Sequence, residues 1–246
     1  MHVDVVIITK NSEHMLNECL RSVYKNVPVN RLIIVDGYST DKTLEIVREF
    51  QKKHGNVLVT QDKGNRATAR QKGINQEKTE WFMFVDSDAV LCEDWFKKAE
   101  KYVGKNVGAI WGIEVWSTIQ NPAILKIFLW ITRKIFDLRG GTHDTLIRTG
   151  LVKDIEIPKV LHVFEDAYIK DWITQKGYKL IACYDPYCVH YRPASVWTIR
   201  GSLNIIADAI RIGRLTLLVK LTFAYGFYVA YSLYQFFANK IRRGRF

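Results

Sequence analysis

"VDVVIITKNSEHMLNECLRSVYKNVPVNRLIIVDG", Val3 to Gly37, places two β-branched runs on either side of a stretch with helical period. The runs Val3 to Thr9 and Arg31 to Asp36 are almost continuously apolar, the pattern of strands covered on both faces. Ser12 to Lys25 carries apolar residues at helical spacing between them. The alternation continues, with strands expected at Asn56 to Thr60 and Trp81 to Asp86 and helices at Thr40 to Lys53 and Arg66 to Gln76. "STDKT" offers a helix N-cap ahead of Leu44. Strand, helix, strand repeated in this way predicts an α/β fold with a mostly parallel sheet.

In such sheets ligands gather at the carboxyl ends of the strands. Thr9-Lys10-Asn11, Asp36-Gly37 and Asp86-Ser87-Asp88 all sit just past strand ends. Any one of them is also what a turn or cap supplies, but their shared edge points to a single crevice. After about Trp116 the alternation stops. Asn121 to Phe136 opens with an N-cap and Pro122, then shows a wide apolar face broken by Lys126, Arg133 and Lys134. Another helix is expected from Phe164, closed by Gly177 and followed by a strand. No internal repeat or low-complexity segment is present in the sequence.

At 246 residues and 48% hydrophobic content the chain is one large domain or two small ones with a substantial core. Lysine and arginine number 36 against 25 aspartates and glutamates, a net charge of +11. Anionic partners follow: nucleotide phosphates, acidic lipid headgroups or nucleic acid, among which charge alone does not choose. Four cysteines without C-x-x-C spacing read as reduced thiols in a cytosolic setting. "MHVDVVIITKN" enters a strand at once, so no secretory signal is expected.

Taken in order, "VVIITKNSEHMLNECLRSV", "IIVDGYSTDKT", "NRATARQKGI", "FVDSDA", "FEDAYIKDWITQKGYK" and "VHYRP" resemble the inverting family-2 glycosyltransferases with the GT-A fold. The resemblance runs from Val3 to about Arg200. It implies a GT-A catalytic domain over 1–200, with a Rossmann-like nucleotide-sugar half (1–115) and an acceptor and catalytic-base half (116–200), followed by a membrane-associating helical segment (201–246). It further implies a UDP- or GDP-linked sugar donor and a divalent cation, Mn2+ or Mg2+, to neutralise charge on the leaving diphosphate.

Residue by residue, the resemblance gives Asp86 the ribose or a metal-bound water, Asp88 the metal itself, and His190 a further metal ligand that favours manganese; an ordinary strand histidine also fits His190. Ser87 joins the nucleotide-sugar set, and Asp36 stands where the family contacts the base, although the family's "DDGS" reads "DGYS" here. Thr9 and Asn11 occupy the "P-x-Y-N" loop without its proline or tyrosine. Arg66 and Arg70 stand as base or phosphate contacts, with a solvated basic helix face as the alternative. Glu165 and Asp166 match the E-D pair in which the aspartate takes the proton of the attacking hydroxyl; acidic residues also favour helix N-termini for dipole reasons. Arg139 to Gly150 matches a glycine-rich acceptor-side loop, and Trp197 and Arg200 match residues that touch acceptor or diphosphate.

Leu221 to Phe237 carries no charge, and at ~1.5 Å per residue it reaches about 26 Å, just short of the roughly 30 Å hydrocarbon core. Basic residues flank it on both sides, which a single span with the catalytic domain inside would place against the positive-inside bias. A helix or re-entrant hairpin at the cytoplasmic leaflet fits better, with 121–136 and 215–245 meeting lipid; a dimer interface or core packing is the alternative. The expected acceptor is then lipid-linked or a membrane-proximal glycan, with no nucleic-acid partner. Two rival readings remain: a non-catalytic sugar-nucleotide or glycan-binding subunit, and a haloacid-dehalogenase-like phosphatase with Asp86 as nucleophile in "VDSDAV".

Overall fold

The computed structural model describes residues 1–117 and 141–191, together with positions 127, 130, 206, 207, 210 and 211. The chain divides into two compact units, Met1–Trp197 and Thr198–Phe246, and the whole described sheet belongs to the first. Trp197, Arg200, the 215–245 stretch and most of the expected 121–136 helix lie outside the described residues.

The first half alternates as expected: β1 (Val3–Thr9), α1 (Leu16–Asn26), β2 (Val29–Asp36), α2 (Thr43–His54), β3 (Val57–Gln61), α3 (Arg66–Ile74) and β4 (Trp81–Val85). These strands pair in the order β3-β2-β1-β4, all parallel. Val5, Ile7, Leu32 and Ile34 are fully buried against Leu16, Leu20 and Val23 of α1, each such side chain contributing about 1.5–3 kcal/mol by leaving water. α1 and α2 start later than expected, whereas α3 starts at Arg66 as expected. Backbone amides of Met15 and Leu16 close a turn on the Ser12 carbonyl before α1 begins. In "STDKT", Asp41 accepts the Thr43 amide at 3.0 Å. α3 lies close on β1, since a Cβ on Gly73 would sit 2.5 Å from Val6 Cγ1.

The second half is mixed. It contains β5 (Ala89–Leu91), α4 (Trp95–Ala99), β6 (Val107–Trp116), β7 (Asp144–Arg148), α5 (Glu165–Gln175) and β8 (Lys179–His190). The full sheet runs β3-β2-β1-β4-β7-β6-β8-β5. β7 is antiparallel to both β4 and β6, while β6 and β8 run parallel and β5 returns antiparallel on β8. The expected loop at Arg139 to Gly150 is therefore corrected: its Asp144–Arg148 portion is a strand in mid-sheet. Five residues among glycine, threonine and histidine read locally as a turn, and pairing on both sides overrides that tendency. Gly177 ends the helical turn after α5 with φ of 82°, as the sequence indicates.

Candidate active site

The metal end of the site is built by strand register. The Asp86 amide donates to the His143 carbonyl at 3.3 Å and the Ala89 amide to the Asp86 carbonyl at 3.0 Å, so the chain turns tightly from β4 into β5. β5 pairs with β8 so that Ala89 lies opposite His190, and the Tyr191 amide donates to the Asp88 carbonyl. That register brings His190 Nε2 to 2.7 Å from Asp88 Oδ1 and 4.0 Å from Asp86 Oδ2. One ligand atom from each of Asp86, Asp88 and His190 falls within a 4.8 Å cluster. The imidazole is buried at 4% exposure, whereas the Asp86 and Asp88 side chains are 25% and 29% exposed. Two half-open carboxylates and one fixed ring nitrogen suit a hard divalent cation, and the nitrogen weights the set toward manganese.

Arg70 joins this end to the E-D pair. Its residue is 2% exposed, which removes it from any solvated basic face, whereas Arg66 four residues earlier is exposed. Arg70 Nη2 donates to Asp86 Oδ1 at 3.0 Å and Nε to Glu165 Oε1 at 3.1 Å, with the guanidinium over the Phe84 ring. Burial raises the Asp86 carboxyl, but Arg70, His190 and His143 together outweigh it and hold the group well below the usual carboxylate range. Burial dominates at Glu165, which is pushed up despite Arg70, with Asp166 adding to the rise.

α5 opens on the pair itself. Phe164 at φ 66° turns the chain into the helix, a backbone state that costs a non-glycine residue on the order of 1 kcal/mol or more. Glu165 faces inward to Arg70, while Asp166 is only partly buried and its Oδ1 accepts the Ala167 amide at 2.7 Å. The preceding loop is pinned from α3: Asn65 Nδ2 donates to the carbonyls of Lys159 and Leu161, and Gln71 Oε1 accepts the Ile157 amide. Asn65 also caps α3 through Thr68.

At the far end, the turns after β1 and β2 are tied together. The Gly37 amide donates to the Thr9 carbonyl at 2.7 Å, and Asn11 exchanges bonds with Ser39 and Thr40. Asp36 is fully buried, its oxygens accepting from Ser39 and Gln61, so it organises its own turn. Thr9 Oγ1 is buried without a hydrogen-bond partner among the described residues. Ser87 Oγ lies 2.9 Å from Ser12 Oγ, linking the aspartate turn to the start of α1. Exposed Tyr38, at φ 58°, stands at this rim with the Lys63 ammonium 5.1 Å above its ring.

Behind the open cluster lies a closed one that the sequence reading missed. His143 Nδ1 is 2.7 Å from Asp144 Oδ1, and Trp95 Nε1 donates to Asp144 Oδ2 at 2.9 Å. The Gly141 amide donates to His143 Nε2 at 3.1 Å, which leaves the ring proton on Nδ1, while Asp144 Oδ1 is buried without a hydrogen bond among the described residues. Gly112 is required here, because a Cβ would sit 2.2 Å from Asp144 Oδ2. Cys188 Sγ is 3.4 Å from His143 Nδ1, and burial with the charges of Asp144 and Glu114 pushes its thiol well up. The buried trio of His143, Asp144 and Cys188 also has metal-ligand geometry. Glu114 of β6 bridges the clusters, 2.8 Å from His190 Nδ1 and 3.8 Å from His143 Nε2. The signals were a lone carboxylate in "IWGIEVW" and a His-Asp pair before "TLI".

The chain is similar to several known glycosyltransferases. A poly(ribitol-phosphate) beta-glucosyltransferase of Bacillus spizizenii is 38% identical over 94 residues, covering 36% of this chain and 15% of that protein. The poly(ribitol-phosphate) beta-N-acetylglucosaminyltransferase TarS of Staphylococcus aureus is 28% identical over 194 residues, covering 72% of this chain and 32% of its own length. The chain thus matches a third or less of these relatives. Residues 1–349 of TarS in complex with UDP-GlcNAc superpose with a TM-score of 0.59 at 21% identity, covering 86% of this chain and 66% of that one. The mannosyltransferase PcManGT of Pyrobaculum calidifontis, in complex with GDP-Man and Mn2+, gives a TM-score of 0.66 at 20% identity, covering 85% of this chain and 64% of that one. These likenesses show a shared α/β fold of GT-A type. Residues 4–141, over half of the sequence, match the family described as Glycosyl transferase family 2, and the chain belongs to that family.

Proposed function

We propose that the protein transfers a sugar, with inversion, from a UDP- or GDP-linked donor to a lipid-linked or membrane-proximal glycan acceptor in the presence of Mn2+ or Mg2+. The observation that carries this reading is the convergence of Asp86, Asp88 and His190 at the strand ends, with Arg70 linking Asp86 to the Glu165 that precedes Asp166. Asp86, Asp88 and His190 would hold the cation, which when bound offsets the charge that builds on the departing diphosphate. Arg70 keeps Asp86 ionised and fixes Glu165, so α5 presents Asp166 from a rigid first turn. Asp166 takes the proton of the attacking acceptor hydroxyl, and a single in-line displacement needs one such base. With an acceptor phosphate that is already ionised, Asp166 orients it instead. The tied turns holding Thr9, Asn11 and Asp36, with Ser87 across from Ser12, form the nucleotide side.

The donor class rests on the relatives, whose complexes contain UDP-GlcNAc and GDP-Man with Mn2+. The phosphatase alternative gives way to the family assignment, and Asp86 follows β4 with Arg70 on one of its oxygens. Attachment to the cytoplasmic leaflet is proposed from surface chemistry. Ile127 and Trp130, three apart in helical positions, are 54% and 60% exposed, and Lys126, Arg133 and Lys134 flank them in sequence. Ile206 and Ile210, four apart in the second unit, are also exposed. Among the described residues no helix is long and apolar enough to cross a membrane.

The test is a donor screen that measures nucleoside diphosphate release from UDP- and GDP-sugars with manganese or magnesium and candidate lipid or glycan acceptors. Turnover of at least one donor is expected, lost in D88A and D166N. No turnover with any donor, or unchanged transfer in both variants, contradicts the reading. Flotation with anionic vesicles, and none with neutral ones, is expected for the leaflet attachment.

A further inference from the structure

We propose that Glu114 is a positioning residue for the cation site, fixing the tautomer and direction of His190. The inference rests on the reading that Asp86, Asp88 and His190 hold the divalent cation. A neutral imidazole offers a lone pair on one nitrogen only when the proton sits on the other. His190 Nε2 lies 2.7 Å from Asp88 Oδ1, a contact that carries a proton on Nε2 because the carboxylate oxygen accepts; a cation taking Nε2 displaces that proton and leaves the ring proton on Nδ1. Glu114 Oε1 stands 2.8 Å from that Nδ1.

The carboxylate is well placed to be rigid. Glu114 is on β6, whose register with β8 sets Glu114 opposite Cys188 and Trp116 opposite His190. Its side chain is only 20% exposed, and its second oxygen lies 3.8 Å from His143 Nε2. An acceptor at Nδ1 raises the basicity of Nε2 and holds the ring plane, an arrangement found behind metal-bound histidines generally. Without it, nothing on the Nδ1 side favours the tautomer that frees Nε2, and the Nε2–Asp88 hydrogen bond competes with the cation for both ligands.

A purely structural role would leave metal affinity unchanged once the protein is folded. The experiment is titration of the full chain with Mn2+ alone, followed by electron paramagnetic resonance of free Mn2+, for wild type, E114A, H190A, the double variant and E114Q. Melting curves are recorded alongside. Expected are Mn2+ binding by wild type, a loss of about 10–100-fold in E114A, and near-wild-type binding in E114Q, whose carbonyl still accepts from Nδ1. The double variant should bind no more weakly than H190A, because Glu114 acts through His190. Wild-type affinity in E114A, or losses that add in the double variant, overturns the proposal while leaving the cation reading intact. Absence of Mn2+ binding in wild type overturns both. If E114A does not fold, E114D, which withdraws the carboxylate by one methylene, should lose affinity in the same sense; wild-type affinity in E114D overturns the proposal.

Discussion

The parallel strands carry buried charge at both ends, and the two ends are arranged differently. At the amino end, Asp4 is fully buried and accepts from Asn30, from two nitrogens of Arg31 and from the Lys78 amide. Glu77 lies beside it, 2% exposed, and burial with the charge of Asp4 pushes its carboxyl up to about 9. Lys153 reaches the Glu77 carbonyl. At the carboxyl end, Asp86 and Asp88 are a quarter or more exposed, and the buried Arg70 guanidinium and His190 imidazole stand behind them. A strongly shifted carboxylate therefore does not mark the site by itself. Glu77 is shifted far upward by being enclosed, whereas Asp86 is shifted downward by groups that leave one of its oxygens facing His190.

Substitution at the two ends should separate function from stability. The largest effect is expected for D166N, which should lower kcat by about 10²–10⁴-fold with little change in melting temperature, read from nucleoside diphosphate release. R70A couples both properties: it leaves buried Glu165 and part-exposed Asp86 without their guanidinium partner and should cost about 3 kcal/mol in urea denaturation, together with activity. R70K should restore part of each.

At the amino end, E77Q should leave transfer unchanged and alter the pH response. Folded Glu77 keeps its proton up to about 9, whereas an ordinary glutamate releases it near 4.5. The folded state binds the extra proton between those values, so stability is greatest on the acid side and declines as the pH rises through that window. Melting curves from pH 5 to 9 should show a flatter profile in E77Q than in wild type. A loss of activity in E77Q would break the distinction between the ends. The smallest effect is expected for N65A, about 1 kcal/mol from the lost α3 cap, with faster hydrogen exchange in the 157–161 loop that Asn65 and Gln71 hold.

The parallel half was legible because its strands are apolar runs that each end on a polar turn, a local signal. Burial of Arg70 was not: Arg66 and Arg70 look alike four residues apart on one helix, and only the approach of α5 decides which is enclosed. Likewise Asp88 and His190 are brought together by the pairing of β5 with β8, across a sequence separation of 102. The resemblance placed both residues on the metal, but their neighbour Glu114 gave only the weak sign of one charge in an apolar strand. β7 was hidden for a related reason, since its stability comes from two neighbouring strands that the local sequence does not contain.

The most direct test of the account is calorimetric titration of UDP and GDP into the wild-type protein and D88A, each with and without Mn2+. The account predicts that one nucleotide binds wild type markedly more tightly with Mn2+ and that D88A abolishes this difference. Equal binding with and without the metal, or a D88A variant that keeps the full metal effect, would contradict it.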